Sequence, residues 1–171
     1  QAEVRYGWSV AGVGDVNNDD KDDVVVSAPW FNTGNTAAGK IYLYHGSSSG
    51  LDAVPSWEAS GQINRAYFGY RVAAAGNVNG DSFADIAVGT NGEGANDEGK
   101  AYVYHGGFND PSLAWSSAEG AAAKAYFGKA IAGAGDVNGD GFDDLIVGAP
   151  GDGSGPGTAY LYLGSGEGLS G

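Results

Sequence analysis

The chain has 171 residues and a mass of 17.2 kDa, enough for one domain with its own core, and it contains no Cys, which excludes disulfides, thiolate metal sites and cysteine nucleophiles. Its formal net charge is −13, from 21 acidic residues against 8 Lys and Arg, so a phosphate backbone would be repelled; neither a polybasic patch nor a long apolar run is present to engage a membrane. Glycine supplies 32 residues without the three-residue period of collagen, which assigns it to turns, and many turns in a short chain mean many short strands.

From the N-terminus, the segment "YGWSVAGVGDVNNDDKDDVVVSAP" starts at Tyr6, and two further copies follow. "FGYRVAAAGNVNGDSFADIAVGT" starts at Phe68 and "FGKAIAGAGDVNGDGFDDLIVGAP" at Phe127. Each copy runs through a variable loop into a second motif: "GKIYLYHG" at 39–46, "GKAYVYHG" at 99–106 and "GTAYLYLG" at 157–164. The first two copies then add a Trp segment, around Trp57 and Trp115. Internal repetition at this period is the signature of a repeat architecture.

Within a copy every segment reads as a strand. The first ("SVAGVG", "AIAGAG") is small and apolar, suited to a crowded centre. The second ("DVVVSAP", "DLIVGAP") is a continuous apolar run, as in a strand buried on both faces. The third alternates, with Ile41 and Leu43 against Tyr42 and Tyr44. Four antiparallel strands in about 60 residues make one blade of a β-propeller. The fold class is therefore all-β, three blades with about 11 strands in a single unit, divided near 1–61, 62–120 and 121–171. The third copy lacks the outermost strand, and three blades cannot close a ring. The absence of Met, even at residue 1, fits a chain processed or excised from something longer.

Of the 21 acidic residues, 11 fall in three loops at 15–23, 77–85 and 136–144. Loop position 1 holds Asp15, Asn77 and Asp136; position 3 holds Asn17, Asn79 and Asn138; position 5 holds Asp19, Asp81 and Asp140; position 9 holds Asp23, Asp85 and Asp144. Oxygen side chains on alternate positions of a tight loop wrap a hard cation, and Ca²⁺ takes ~6–8 oxygens, a backbone carbonyl often among them. Position 7 (Lys21, Phe83, Phe142) is free in side-chain type and is expected to supply that carbonyl, while Gly80, Gly139 and Gly141 supply unusual backbone angles. An EF-hand needs Glu at position 12, where this chain has Val26, Val88 and Val147 inside strands. Mg²⁺ demands a stricter octahedron, and zinc lacks Cys and converging His. Ordinary Asx turns are the competing reading of one such loop; three in register favour calcium. The second loop, with Asn77 at position 1, is expected to be the weakest.

Other candidates read as packing. "GSSSG" at 46–50 mimics a nucleophile elbow but lacks its strand–turn–helix context and is read as a turn. His45 and His105 share a repeat position with Leu163, and the paired Tyr residues and Trp57 and Trp115 are repeat positions too. Trp30 and Phe31 have no counterpart in the other copies, so they are candidate ligand contacts, with a loop anchor as the equal alternative. No consistent acid, base or nucleophile set emerges, so no enzymatic activity is expected.

These motifs resemble the FG-GAP repeat of the integrin α-subunit N-terminal propeller and of bacterial integrin-like propellers. Phe127-Gly128 and Gly148-Ala149-Pro150 carry both halves of the name; the first copy departs with Tyr6-Gly7 and Ser27-Ala28-Pro29, the second with Gly89-Thr90 and no Pro. The resemblance implies calcium in the loops above, a ring of usually seven blades, ligands on the face opposite the loops, and an adhesion or interaction role outside the cell or at its surface. A carbohydrate-binding propeller is the alternative. Two chains are expected to complete a six-bladed homodimeric ring; a piece of a longer propeller, or a consensus-like self-assembling chain with no ligand, would carry the same repeats.

Overall fold

A computed structural model describes residues 4–117, 122–152 and 156–170. Three antiparallel sheets follow one another along the chain. The first blade orders β1 (Val10–Gly14), β2 (Asp23–Ala28), β3 (Lys40–Tyr44) and β6 (Trp57–Ser60) from inside to outside. The second is β7 (Arg71–Gly76), β8 (Asp85–Thr90), β9 (Lys100–His105) and β10 (Ser112–Ser117). The third has three strands, β11 (Ala130–Gly135), β12 (Asp144–Ala149) and β13 (Thr158–Tyr162). The blades thus hold the expected 11 strands. A small hairpin, β4 (Gly46–Ser47) with β5 (Gly50–Leu51), is additional, and it shows the "GSSSG" segment to be a turn in which the Ser47 hydroxyl donates to the Gly50 carbonyl at 2.6 Å.

Each innermost strand ends in a bulge. Register shifts fall between Gly12 and Gly14, Ala74 and Gly76, and Gly133 and Gly135. The closing glycines sit at φ of 80°, 81° and 69°, a left-handed conformation that costs glycine nothing. The kink turns the chain out of the sheet directly into the acidic loop.

Blades stack through their innermost strands, β1 on β7 and β7 on β11. Two cores form, one at each junction. Between the first two blades lie Val13, Val25, Ile41, Leu43, Phe68 and Ile86, and between the second and third lie Ala75, Val103, Phe127, Leu145 and Val147, with their neighbours. The repeated aromatics meet across the junctions or beside them. Trp57 sits edge-on to Tyr104 at 5.2 Å and Trp115 to Tyr162 at 4.8 Å, while Phe68 meets Tyr102 and Phe127 meets Tyr160, both at 5.4 Å. Edge-to-face geometry of this kind adds ~0.5–1.5 kcal/mol per pair beyond burial.

The Phe of each later copy is tied to the preceding blade by its backbone. Phe68 N–H donates to the Ala38 carbonyl at 2.9 Å and Phe127 N–H to the Glu98 carbonyl at 2.9 Å. A Cβ on Gly39 or Gly99 would lie 2.2 Å from the carbonyl oxygen of Phe68 or Phe127, so the "GK" glycine is demanded by the next blade.

The apolar strands are not equally covered. β8, in the middle blade, is buried along its whole length, but Ile146 of β12 is 41% exposed where the equivalent Val25 and Ala87 are fully buried. The expectation of a second strand buried on both faces therefore holds for the middle blade and fails at one face of each end blade, because no other described strand stacks there. Replacing Phe127, fully buried, by Ala is expected to destabilise the fold by about 3–5 kcal/mol in urea unfolding, the usual range for such a truncation.

Candidate functional site

All three acidic loops connect the innermost strand of a blade to its second strand, so they occupy equivalent places in the fold. Position 1 organises the loop by accepting backbone N–H groups. Asp15 accepts from Asn17, Asp19 and Asp20; Asn77 from Gly80 and Asp81; and Asp136 from Gly139, Asp140 and Gly141, at 2.6–3.3 Å. Position 3 accepts from the N–H of position 5 (Asn17 from Asp19, Asn79 from Asp81, Asn138 from Asp140) at 3.0–3.1 Å. Position 5 accepts from the N–H of position 7 (Asp19 from Lys21, Asp81 from Phe83, Asp140 from Phe142), each at 3.0 Å. The loop is a ladder of side-chain oxygens closing short backbone rings.

Positions 4 and 6 turn left-handed in every copy: Asn18 and Asp20, Gly80 and Ser82, Gly139 and Gly141 have φ between 60° and 92°. The glycine pattern anticipated three of these six; Asn18, Asp20 and Ser82 adopt the same conformation with a side chain, which Asn and Asp tolerate better than Ser. Ser82→Gly is expected to raise stability by about 1 kcal/mol, read as a higher thermal midpoint, since only glycine takes that conformation without strain.

Position 9 behaves differently. Asp23, Asp85 and Asp144 are fully buried, and each carboxylate spans two backbone donors. One oxygen accepts from position 2 of the same loop (Val16, Val78, Val137) at 2.8–3.0 Å. The other accepts from the glycine after the third strand (Gly46, Gly106, Gly164) at 2.8–3.1 Å. A carboxylate has about four acceptor directions, so each keeps capacity beyond these bonds. Among the described residues no three acidic or His side chains stand close enough together to hold a metal as they are. The four predicted ligands of each loop share one loop, with position 9 turned to the backbone and position 3 contributing an amide rather than a charge. In the second and third loops the Asn79 and Asn138 amides donate to Asp81 and Asp140 at 2.7 Å.

The electrostatics show what the loops lack. Among the described residues the ion pairs are Lys21 with Asp19, Lys40 with Glu58 and Lys100 with Glu93; none reaches a position 9 carboxylate. Burial pushes Asp85 up from 3.8 to about 7, against the opposing N–H donors of Val78 and Gly106 and with help from the Asp81 and Asp143 charges. Asp23 is raised as well, again by burial first. The position 1 carboxylates, half-buried at Asp15 and exposed at Asp136, go the other way. The Gly141 N–H leads in lowering Asp136; for Asp15 desolvation is the largest single influence, but four backbone donors together outweigh it and lower it. A raised folded-state value means that the folded, metal-free protein holds the Asp85 proton more tightly than the unfolded chain. Its stabilising effect is full below about pH 4 and is lost as pH rises through about 7. Urea midpoints of metal-free protein should therefore fall less steeply over that interval in Asp85→Asn than in the parent chain; equal slopes would contradict the assignment.

Backbone carbonyls of positions 1 and 2 carry the loops' contacts with the next blade, and positions 2 and 8 lie outside the predicted set. The Asp15 carbonyl accepts from Ala84 N–H at 2.9 Å and the Val16 carbonyl from Gly107 N–H at 2.8 Å. One blade on, the Asn77 carbonyl accepts from Asp143 N–H at 3.1 Å and the Val78 carbonyl from Ser165 N–H at 3.0 Å. The Asp143 carboxylate also accepts from Asn77 N–H at 2.8 Å. The recurrence of Val at position 2 (Val16, Val78, Val137) was the available sequence signal for this seam. His105 packs at its strand end, as its repeat position implied, and its Nδ1 also lies 3.1 Å from the Asn79 amide; burial lowers its pKa against the opposing Asp81 charge.

Trp30 is half-buried among Trp8 (4.8 Å), Tyr67 (5.3 Å) and Tyr70 (6.3 Å), with the Arg5 guanidinium 4.2 Å from its ring centre. Phe31 lies 5.1 Å from the Lys40 ammonium. Both residues thus have partners within the chain, and Trp8, 44% exposed, carries the aromatic surface outward.

Three matches to the FG-GAP repeat family model cover residues 6–44, 68–104 and 127–162, one per blade, each containing one acidic loop. The chain belongs to the FG-GAP repeat family, and its sheets are blades of a β-propeller. It is similar to integrin alpha-8 of Gallus gallus, with 35% identity over 95% of this chain, and to integrin alpha-4 of Xenopus laevis, with 31% over 96%. Human integrin alpha-8 is 36% identical over 90% of it. The chain spans only 15–16% of the length of these relatives. The described residues include no helix long and apolar enough to cross a membrane.

Proposed function

We propose that the chain is a calcium-stabilised, integrin-like propeller module for protein interaction or adhesion, without enzymatic activity, acting outside the cell or at its surface. The observation that carries the calcium part is the buried position 9 carboxylate, repeated three times and paired with no cationic side chain, beside a ladder of hard oxygen donors. A divalent ion held by positions 1, 3, 5 and 9, with the carbonyl of position 7, supplies the missing positive charge; three such ions offset nearly half of the −13. The all-oxygen donor set suits calcium and excludes a soft-metal preference. Because the ions bind folded loops only, they add to stability by mass action.

Calorimetric titration of chelator-stripped protein should show about three Ca²⁺ per chain, and chelation should lower the thermal midpoint. Asp140→Ala should remove one ion and leave two, and Asn77→Asp should tighten the weakest site. Protein that takes up no Ca²⁺ at millimolar concentration, with an unchanged midpoint, would sink the reading.

A second reading, glycan binding, is favoured by the exposed Trp8 ring over the Trp30–Tyr70 cluster. Sugar-dependent quenching of Trp fluorescence that disappears in Trp8→Ala would support it, and a glycan array with no hits would end it.

A further inference from the structure

Equivalent residues in the three blades have unequal exposure, and the inequality has a direction. Position 2 of the acidic loop is 1% exposed at Val16 and buried at Val78, but 52% exposed at Val137. On the third strand Leu43 and Val103 are fully buried, while Leu161 is 48% exposed. These residues lie on the face each blade turns toward the next one. The opposite face shows the reverse order: Val72 and Ile131 are 4% and 6% exposed, and the equivalent Val10 is 62% exposed. The third blade therefore ends in the apolar face that receives a following blade, and the first begins with the face that docks onto a preceding one.

The backbone repeats the pattern. A Cβ on Gly133 would meet the Ala74 carbonyl of the preceding blade at 2.8 Å, whereas one on the equivalent Gly12, which has no positive φ, would meet nothing within 4 Å. A small residue is kept at this position in all three blades (Gly12, Ala74, Gly133), including the first, where no described atom approaches it. Likewise the Phe142 ring lies over Gly80 of the preceding loop, while a Cβ on Gly139, at the same place in the third loop, would meet no described atom within 4 Å.

We propose that a second copy of this chain covers both faces, its first blade docking on the third blade and its third blade receiving the first, to close a two-fold ring of six blades. The junction continues the two already built inside the chain. Two copies of this 171-residue chain supply six blades, within the ~4–8 that propellers hold. Two-fold closure satisfies both faces with one kind of contact made twice. Homology between blades assigns the partners. The Asp136 and Val137 carbonyls take the N–H groups of Asp22 and Ser47 of the second copy, as Asn77 and Val78 take those of Asp143 and Ser165. Asp22 occupies the repeat position of Asp143, so its carboxylate caps Asp136 N–H as Asp143 caps Asn77. Lys21, at the position of Phe142, then lies over the third acidic loop, where its charge is complementary. This inference rests on the exposure pattern and stands independently of calcium.

Light scattering of the 171-residue chain in millimolar Ca²⁺ is the test. The expected mass is twice 17.2 kDa, with Val10→Arg and Leu161→Arg each reducing it to 17.2 kDa while the circular dichroism spectrum stays that of the parent. The two substitutions lie on opposite faces and are exposed in the single chain, so a merely structural effect would show in the spectrum. A parent mass of 17.2 kDa overturns the proposal and leaves the faces to further blades of a longer chain. A mass above the dimer overturns the closed ring. A dimer broken by only one of the two substitutions overturns the face-to-opposite-face docking.

Discussion

A buried carboxylate at the start of each second strand holds the blade together where the chain is least regular. Asp23, Asp85 and Asp144 each join the first turn of the acidic loop to the glycine that follows the third strand, so three segments converge on one side chain. Burying a carboxylate is unfavourable unless its oxygens are satisfied. Two backbone donors satisfy the hydrogen bonding without neutralising the charge. That is the physical reason the acidic loops and the blade scaffold cannot be considered separately: the group that pins the fold is also one whose ionisation burial opposes, as at Asp85 and Asp23.

The second constraint is close approach between blades. Small residues line the innermost strands because three such strands must pack near one axis, and Gly39 and Gly99 are required because the backbone of the next Phe passes through the space a side chain would fill. The edge-on aromatic pairs then fill the wider outer part of each junction. Small residues inside and large ones outside give each blade its wedge shape, and a wedge that stacks in one direction leaves two different faces at the ends of an incomplete stack.

Much of this was legible in the sequence because it repeats. Three copies in register identified the strands, the oxygen ladder and the left-handed positions at Gly80, Gly139 and Gly141, since local spacing alone determines them. What depended on distant partners was hidden. The donors to Asp23 lie 7 and 23 residues away, and no local pattern distinguishes a cap from a metal ligand there. The surroundings of Trp30 come from Trp8, Tyr67 and Tyr70, which only the fold assembles. The β4–β5 hairpin was seen as a turn without its short strands. The uneven exposure of Val16, Val78 and Val137 could not be read at all, because identical residues in identical motifs differ only in having a neighbouring blade.

The seam between blades also changes how the second acidic loop is understood. Asn77 leaves that loop with two carboxylates of its own, Asp81 and Asp85, which in isolation makes it the poorest in charge. The next blade returns a third. Asp143 places its carboxylate on Asn77 N–H and helps raise Asp85, so its field is felt at the centre of the loop. Gly76 permits this approach, since a Cβ there would lie 2.2 Å from the Asp143 Oδ2 atom. The charge of the second loop is thus shared across a junction. The acidity of the loop and the stacking of the blades therefore meet on the same few atoms, Asn77 N–H, the Asp143 carboxylate and the Gly76 backbone.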